Sequence, residues 1–164
     1  MIWRDDDISK STNLKRFKQI HNLFLKYKVL HTVSLICEVI EENKPLIKYL
    51  QQQIKNGSIV VEIHCWKHYD FTENPTQLIT DLPKCIEAVT RLFNKPTTLF
   101  PPWNKTNRHV DHIAFLNKLE ISTQKMSISG YLKGQNEKVI NFHFWADECD
   151  QLEDALKKYT HGNS

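Results

Sequence analysis

The chain has 164 residues, the length of one ordinary domain, and we predict a single domain over residues 1–164. Hydrophobic residues make up 40% and charged residues 25% of the chain, close to the globular average, which excludes a disordered or fibrous protein. The net charge is only +3, from 22 Lys and Arg against 19 Asp and Glu, so we expect no nucleic-acid partner.

Other features of the composition bear on the membrane and the compartment. No apolar run approaches the roughly 20 residues of a membrane span, so we expect no membrane partner. Three acids, Asp5, Asp6 and Asp7, follow soon after the start, where a signal peptide needs basic residues and an apolar stretch. The four cysteines form no C-x-x-C pair and are expected to be free thiols. These features together predict a cytoplasmic protein.

Short β-rich runs alternate with amphipathic helical stripes along the chain. From the N-terminus we predict a strand over residues 2–7, a helix over 12–28, a strand over 30–39, a helix over 43–57 and a strand over 58–64. A helical stripe covers 75–93, where Pro83 predicts a kink or two helices, with Asp81 capping the second. A strand over 97–100, a helical segment over 110–117, a strand from 121, a turn over 130–134, a strand over 139–145 and a helix over 152–159 follow. The alternation predicts βαβ units and a mainly parallel sheet, and no Gly-rich nucleotide loop is present.

Unusual side chains gather where the predicted strands end. In parallel α/β folds, functional sites lie at the carboxyl ends of the strands. Four such ends carry polar or aromatic clusters: Asp5 to Asp7, His64 to His68, Pro101 to Asn104, and His143 to Trp145. Their coincidence predicts one site at that edge of the sheet.

The pair His64-x-x-x-His68 has the spacing of two metal-binding imidazoles, one from a strand end and one from the following loop. A carboxylate from another strand would complete a two-His, one-carboxylate set that leaves positions open for water and substrate. The alternative is a pair of solvated loop histidines. A competing pair, His109 and His112, lies on a predicted helix and is interpreted as a solvated face.

The three aspartates repel one another unless something binds them. One could ligate a metal while its neighbour acts as a general base, with Arg4 offsetting charge or contacting substrate. The alternative is an acidic N-terminal loop or helix cap.

The other two clusters suit a substrate pocket. The rigid turn at Pro101 and Pro102 leaves the Trp103 N–H as an oxyanion donor, although a stiff loop with a packed tryptophan is the alternative. Strand alternation places His143 on the opposite side from Phe142 and Phe144, towards the site. The alternative for His143 is a buried structural histidine.

Together these segments resemble the polysaccharide deacetylase family, metal-dependent enzymes that remove acetyl groups from N-acetylated sugars. The family has an Asp-Asp motif after its first strand, then His-x-x-x-His, a Pro-Pro-aromatic motif and a late Leu-x-His strand. The matching segments here read Arg-Asp-Asp-Asp-Ile, His-Cys-Trp-Lys-His-Tyr-Asp, Leu-Phe-Pro-Pro-Trp-Asn and Asn-Phe-His-Phe-Trp. Their order and rough spacing match over most of the chain and look like a compact branch of the family.

The resemblance implies an α/β fold, a compact distorted (β/α) barrel with fewer than eight strands. It also implies that the second aspartate of the pair binds metal and the first is the base, which assigns Asp7 and Asp6. The register with Asp5 as base and Asp6 as ligand stays open. His64 and His68 would complete the metal set, and the general acid would be His143.

Two positions depart from the family pattern. The arginine that usually precedes Pro-Pro and pairs with the catalytic aspartate is Phe100 here, and Arg4 is a candidate replacement. The Asp- and Trp-containing motif that orients the acid histidine in the family has no match in the sequence.

The resemblance thus implies a metal-dependent hydrolase that removes an N-acetyl or O-acetyl group from a sugar or glycan. It implies a divalent metal, with Zn²⁺ preferred, that polarises the acetyl carbonyl and lowers the pKa of its water. The residues expected to contact substrate or its oxyanion are Arg4, Trp66, Pro102, Trp103, Asn104 and Trp145. A catalytically silent glycan- or ligand-binding module and an amidase for a non-sugar C–N bond are the alternatives.

Overall fold

The computed structural model describes residues 1–162, with residues 147 and 148 described by their backbone alone. The predicted domain thus includes two residues, 163 and 164, that lie outside the described part. The strands are β1 (Ile2–Ile8), β2 (His31–Ile36), β3 (Ile59–Cys65), β4 (Thr98–Leu99), β5 (Glu120–Ile121) and β6 (Val139–Phe142). The helices are α1 (Leu14–Tyr27), α2 (Lys44–Lys55), α3 (Pro75–Leu92), α4 (Arg108–Leu116), α5 (Ile128–Leu132) and α6 (Leu152–Gly162). Short 3-10 turns lie at Ile40–Glu42, Pro102–Asn104 and Asp147–Gln151.

These strands form a parallel sheet in the order β5-β4-β3-β2-β1-β6. Each strand from β1 to β4 pairs with the next strand in the chain, and β6 returns to the free side of β1. The sheet curls into a half-barrel with helices packed against it. The predicted α/β class, a distorted (β/α) barrel with fewer than eight strands, is confirmed.

The central strands are buried almost throughout because helices cover the sheet. Helix α1 is typical of the covering layer. It buries Phe17, Ile20 and Phe24, and its N-cap Asn13 accepts a hydrogen bond from the Arg16 amide. The carboxyl ends of β1, β3, β4 and β6 are therefore held at one edge by a rigid core.

A kink or two helices was predicted at Pro83; the two-helix outcome is wrong, since α3 is one helix from Pro75 to Leu92. Pro83 is exposed, so water can satisfy the carbonyl that loses its helical partner. The opposite face of the helix is buried through Leu78 and Leu82. Asp81 caps no helix; its carboxylate accepts hydrogen bonds from Gln77 and Lys84, both at 2.9 Å.

Two further boundaries differ from the sequence prediction. The predicted turn over 130–134 begins inside α5, because the Ser127 side chain caps that helix through the Gly130 amide and Ile128 is fully buried. The predicted strand over 139–145 ends at Phe142, where the pairing with β1 stops at Asp5. His143 therefore lies on the loop that follows β6.

Two further findings concern the described residues together. All four cysteines, Cys37, Cys65, Cys85 and Cys149, are buried free thiols, as the sequence predicts. Within residues 1–162, no helix combines the length and apolar character that a membrane crossing requires.

Candidate metal centre

Strand β1 ends in an irregularity that redirects its acidic residues. The pairing with β2 shifts register between Asp5 and Ile8, and Asp7 has a φ of 62°, in the left-handed region. Neighbouring residues of a regular strand point to opposite faces, and a bulge changes that alternation. Asp7 thereby reaches side chains from β3 and the loop after it.

Asp7, His64 and His68 converge at the carboxyl edge of the sheet. The Asp7 Oδ1 atom lies 3.3 Å from His64 Nε2 and 3.4 Å from His68 Nε2. One ligand atom from each residue falls within 4.8 Å of the others. His64 is buried, Asp7 is half-buried and His68 is exposed, so the cluster opens to solvent on one side.

The hydrogen bonds around this cluster fit a divalent metal. His64 Nδ1 lies 2.7 Å from the Phe100 carbonyl oxygen, which makes Nδ1 the protonated nitrogen and leaves the Nε2 lone pair facing Asp7. Asp7 Oδ1 is buried and accepts no hydrogen bond of regular geometry from the described residues. Two imidazoles and one carboxylate are a donor set suited to Zn²⁺.

The protonation of the cluster is also favourable for ligation. Burial tends to raise the pKa of Asp7, but its interactions with His64, His68 and His143 outweigh burial and lower the pKa. Burial, assisted by the charge of His64, lowers the pKa of His68. A carboxylate and a neutral imidazole are the forms that bind a metal ion.

Asp6 lies beside the cluster in a saturated hydrogen-bond network. Its Oδ2 accepts from Arg4 Nη2 at 2.8 Å and from Asn141 Nδ2 at 2.6 Å, and its Oδ1 accepts from the Ser34 hydroxyl. Asp6 is 3% exposed. The network fixes this carboxylate in one orientation.

The Arg4 side chain lies fully buried against Phe100. Its guanidinium carbon is 4.6 Å from the Phe100 ring centroid, and Nη2 also donates to the Asn104 Oδ1 at 2.8 Å. Arg4 thus pairs with Asp6 and packs against Phe100, the residue that stands where the family pattern has an arginine. Asn104 thus contacts Arg4. Pro102, in the same turn as Asn104, is buried.

Asp5 faces a different part of the molecule from Asp7. Its Oδ1 accepts the Phe144 amide at 2.9 Å, and its Oδ2 lies 3.4 Å from His31 Nε2 beneath α1. The structure therefore groups Asp7, and not Asp5, with the two site histidines. This geometry favours the register with Asp6 and Asp7 as the functional pair.

His143 and Trp145 approach the cluster from the loop after β6. His143 Nε2 lies 3.5 Å from Asp7 Oδ2. The centroid of the His143 ring lies 5.0 Å from that of the Trp145 ring, and Trp145 is 59% exposed. Phe142 and Phe144 are buried, so the expected alternation persists although the strand ends earlier.

The remaining tryptophans lie in different places. Trp103 is 53% exposed. Its ring centroid lies 4.5 Å from that of His68, and the two rings meet edge-on. The hydrogen bonds described for its turn come from the Asn104 and Lys105 amides, and none described in residues 1–162 uses the Trp103 amide. Trp66 lines a separate hollow with Cys37, and the Lys84 Nζ lies 5.5 Å from its ring centroid; its contact with substrate stays a prediction.

The competing pair His109 and His112 is exposed on α4, as the solvated interpretation predicts. The sequence analysis missed Ser34 and Asn141, which hold Asp6, and Arg16, which lines the neighbouring hollow. The available signal was a polar residue inside an apolar strand, such as Ser34 between Val33 and Leu35.

Comparisons with known proteins identify the fold. No family model matches the chain, and no curated protein matches its sequence. Among solved structures, a family 4 carbohydrate esterase from Streptomyces lividans superposes with a TM-score of 0.78 at 14% identity, covering 99% of this chain and 88% of that one. The peptidoglycan deacetylase PdaC from Bacillus subtilis superposes at 0.77 with 17% identity, covering 98% and 83% of the two chains.

An inactive relative of these enzymes shares the same architecture. A family 4 pseudoenzyme from Bacillus anthracis superposes with a TM-score of 0.77 at 13% identity, covering 98% of this chain and 60% of that one. At such identities the likeness shows the fold, and the chemistry has to be argued from the residues themselves.

Proposed function

On the polysaccharide deacetylase fold, we propose that this protein is a metal-dependent deacetylase. Its substrate is a sugar or glycan that carries an N-acetyl or O-acetyl group. The proposal is carried by one observation: the ligand atoms of Asp7, His64 and His68 converge within 4.8 Å at the carboxyl edge of the sheet. The structural neighbours include enzymes named as carbohydrate esterases and peptidoglycan deacetylases, which supports the same substrate class.

Asp7, His64 and His68 would hold the metal, for which Zn²⁺ suits the donor set. Such an ion supplies Lewis-acid polarisation of the acetyl carbonyl and acidification of water. The protein positions the ligands through the bulge at Asp7 and the Phe100 carbonyl that orients His64. Trp103 packs against His68 and limits its ring orientation.

Asp6 is proposed as the general base that takes a proton from the attacking water. A base must hold its carboxylate in a fixed direction within reach of that proton. Arg4, Ser34 and Asn141 fix Asp6 in this way. Arg4 is therefore a positioning residue for the base.

His143 is proposed as the general acid. Deacetylation of an amide breaks a C–N bond, and the departing amine needs a proton at its nitrogen. His143 is half-buried and borders the cluster through Asp7 Oδ2, whereas the two ligand histidines lie near Asp7 Oδ1. The Trp103 amide is proposed to donate to the tetrahedral oxyanion, and the exposed Trp145 ring offers a face for the sugar.

A catalytically silent binding module is the second candidate, because a pseudoenzyme has the same fold and Phe100 replaces the family arginine. The position of Arg4 argues against this candidate. Its buried guanidinium packs against Phe100 and contacts Asp6, so Asp6 has a cationic partner although the family arginine is missing. An amidase for a non-sugar substrate would use the same residues, and the substrate panel separates it from a deacetylase.

The test combines metal analysis with acetate release by the purified full chain. The panel comprises N-acetylglucosamine oligomers, peptidoglycan fragments, acetylated xylan, a non-sugar N-acetyl amide and an activated aryl acetate. We expect acetate from at least one glycan, and loss of both metal and acetate in His64→Ala. The matched control is His109→Ala, which removes an exposed histidine outside the site. Metal retention without acetate from any substrate would support the silent module instead.

A further inference from the structure

A hollow of about 580 Å³ adjoins the candidate metal centre. Asp7 and His68 form one side of it, and Trp145 and Phe144 form another. A further wall of the hollow comes from the loop after β1 and the first turn of α1. That wall carries small polar residues and one guanidinium: Ser9, Ser11, Thr12, Asn13 and Arg16.

Arg16 is held in place on this wall. Its Nε donates to the Phe144 carbonyl at 3.2 Å, and Phe144 follows directly after His143. The two Nη groups make no hydrogen bond with the described residues, although the side chain is half-buried. A guanidinium fixed through Nε presents its remaining N–H groups as a fork that fits a carboxylate or phosphate.

The charge around the wall favours an anion. Among the described residues that line the hollow, Asp7 is the only acid, and its oxygen faces the site histidines. Helix α1 begins on this wall with no acidic residue in its first turn, so the positive end of its dipole is not offset locally. The hydroxyls of Ser9 and Ser11 lie 3.0 Å apart; one donates to the other, so the pair keeps one O–H as a donor for a ligand.

We propose that the acetylated sugar bound here carries an anionic group, a carboxylate or a phosphate, and that Arg16 binds it. The sugar ring would lie against Trp145, with the acetyl group at the metal ligands and the anion at the wall of α1. This inference rests on the proposed function, because the hollow is taken as the substrate pocket of the same site. Arg16 determines specificity in this account and takes no part in bond breaking.

Binding of three sugars to the full-length protein by calorimetry tests the inference. The probes are neutral N-acetylglucosamine, N-acetylglucosamine 1-phosphate and N-acetylmuramic acid, so that phosphate and carboxylate are tested separately. We expect at least one acidic probe to bind about tenfold more tightly than the neutral sugar, which corresponds to about 1.4 kcal/mol. Equal dissociation constants for all three probes would contradict the inference without any variant.

Three variants assign the preference to Arg16. Arg16→Gln is expected to abolish the preference for the acidic probe, while Arg16→Lys retains part of it because the charge remains. Lys15→Gln is the matched control, since it removes a neighbouring exposed charge that does not line the hollow. A preference that survives in Arg16→Gln would place the anion elsewhere and overturn the inference. These binding measurements need no turnover, so the inference can fail while a glycan still releases acetate, and the proposed function is tested separately by acetate release and metal content.

Discussion

The guanidinium carbon of Arg4 lies 4.6 Å from the centroid of the Phe100 ring. Phe100 immediately precedes the Pro-Pro turn, and Arg4 comes from β1, three strands away across the sheet. From there Arg4 reaches Asp6 at 2.8 Å and Asn104 at 2.8 Å. A positive charge beside the proposed base is thus supplied by a different segment of the chain from the one that the family pattern suggests.

Removal of the Arg4 charge is predicted to destabilise the fold and impair the base. In Arg4→Met, Asp6 keeps a buried carboxylate without its cationic partner, and loss of one member of a buried pair typically costs about 3–5 kcal/mol. The free energy of unfolding from urea titration measures this loss. Turnover of any active substrate should fall in parallel, because Asp6 is no longer held in one orientation.

A double-variant cycle separates the ion pair from simple packing. Arg4→Met combined with Asp6→Asn removes both charges and should cost less stability than the sum of the two single variants. Additive costs would show that Arg4 contributes through its contacts with Phe100 and Asn104 and not through Asp6.

The metal ligands are predicted to act as one unit. Loss of His64 or His68 leaves two ligands, so His64→Ala and His68→Ala should each reduce the bound divalent ion well below the wild-type level. Since only neutral imidazole binds metal, occupancy should also fall below about pH 6. Elemental analysis after gel filtration measures both effects. Full occupancy in the double alanine variant would instead implicate His109 and His112.

Sequence patterns predicted that Asp7, His64, His68 and His143 come together, but not which residues hold Asp6. The clusters at Asp7, His64 and His143 follow strands whose periodicity is clear, and parallel strands end at the same edge of a sheet. The partners of Asp6 could not be predicted in this way, because Ser34 and Asn141 belong to separate strands and their contact depends on the pairing order of the sheet.

The fold shows the same division between local and long-range determinants. Strand β3 lies within one residue of its predicted bounds, and β2 begins one residue late and ends three residues early. Both strands could be predicted because their apolar runs are buried as the pattern indicates. For Pro83 the sequence predicted a kink or two helices, and the two-helix outcome is wrong because burial of Leu78 and Leu82 keeps α3 as one helix. The role of Trp66 stays a prediction; its ring lies near Lys84 of α3, a contact that no local pattern encodes.

His143 is predicted to matter for the leaving group and not for the metal. His143→Ala should reduce turnover of an amide substrate by about 10²–10⁴-fold, the usual contribution of a general acid. An activated aryl acetate should lose much less, because its phenolate leaves without protonation. Parallel assays of the two substrates, with metal content measured in the same samples, test the role. Equal losses would indicate that His143 has another role, such as orienting water.

A buried histidine pair beneath the site should make stability depend on pH. His21 Nδ1 lies 3.1 Å from His31 Nδ1, and both rings are fully buried. Burial lowers the pKa of His21 to about 4, and burial together with the charge of His21 lowers the pKa of His31 well below its usual value. Both histidines are therefore neutral in the folded protein at neutral pH.

The unfolded chain binds protons on these histidines below pH 6.5, whereas the folded protein does not. The free energy of unfolding should therefore fall as the pH drops from about 6.5 towards 4, by about 3 kcal/mol for His21 at about 1.4 kcal/mol per pKa unit. Urea titrations across this range should show a shallower pH dependence in His21→Leu than in wild type. The control His112→Gln, at an exposed position, should keep the wild-type slope. If the pH dependence of the free energy of unfolding were the same in His21→Leu as in wild type, His21 would not be the source of that dependence.

The most direct test of the proposed catalytic centre compares Asp6→Asn with Asp7→Asn, with metal content and acetate release measured in the same samples. We expect Asp6→Asn to keep its divalent ion and to lose most of its turnover, because an amide cannot accept the proton of water. Asp7→Asn should lose the ion first and turnover as a consequence. Wild-type turnover in Asp6→Asn, or full metal content and turnover in Asp7→Asn, would contradict the account.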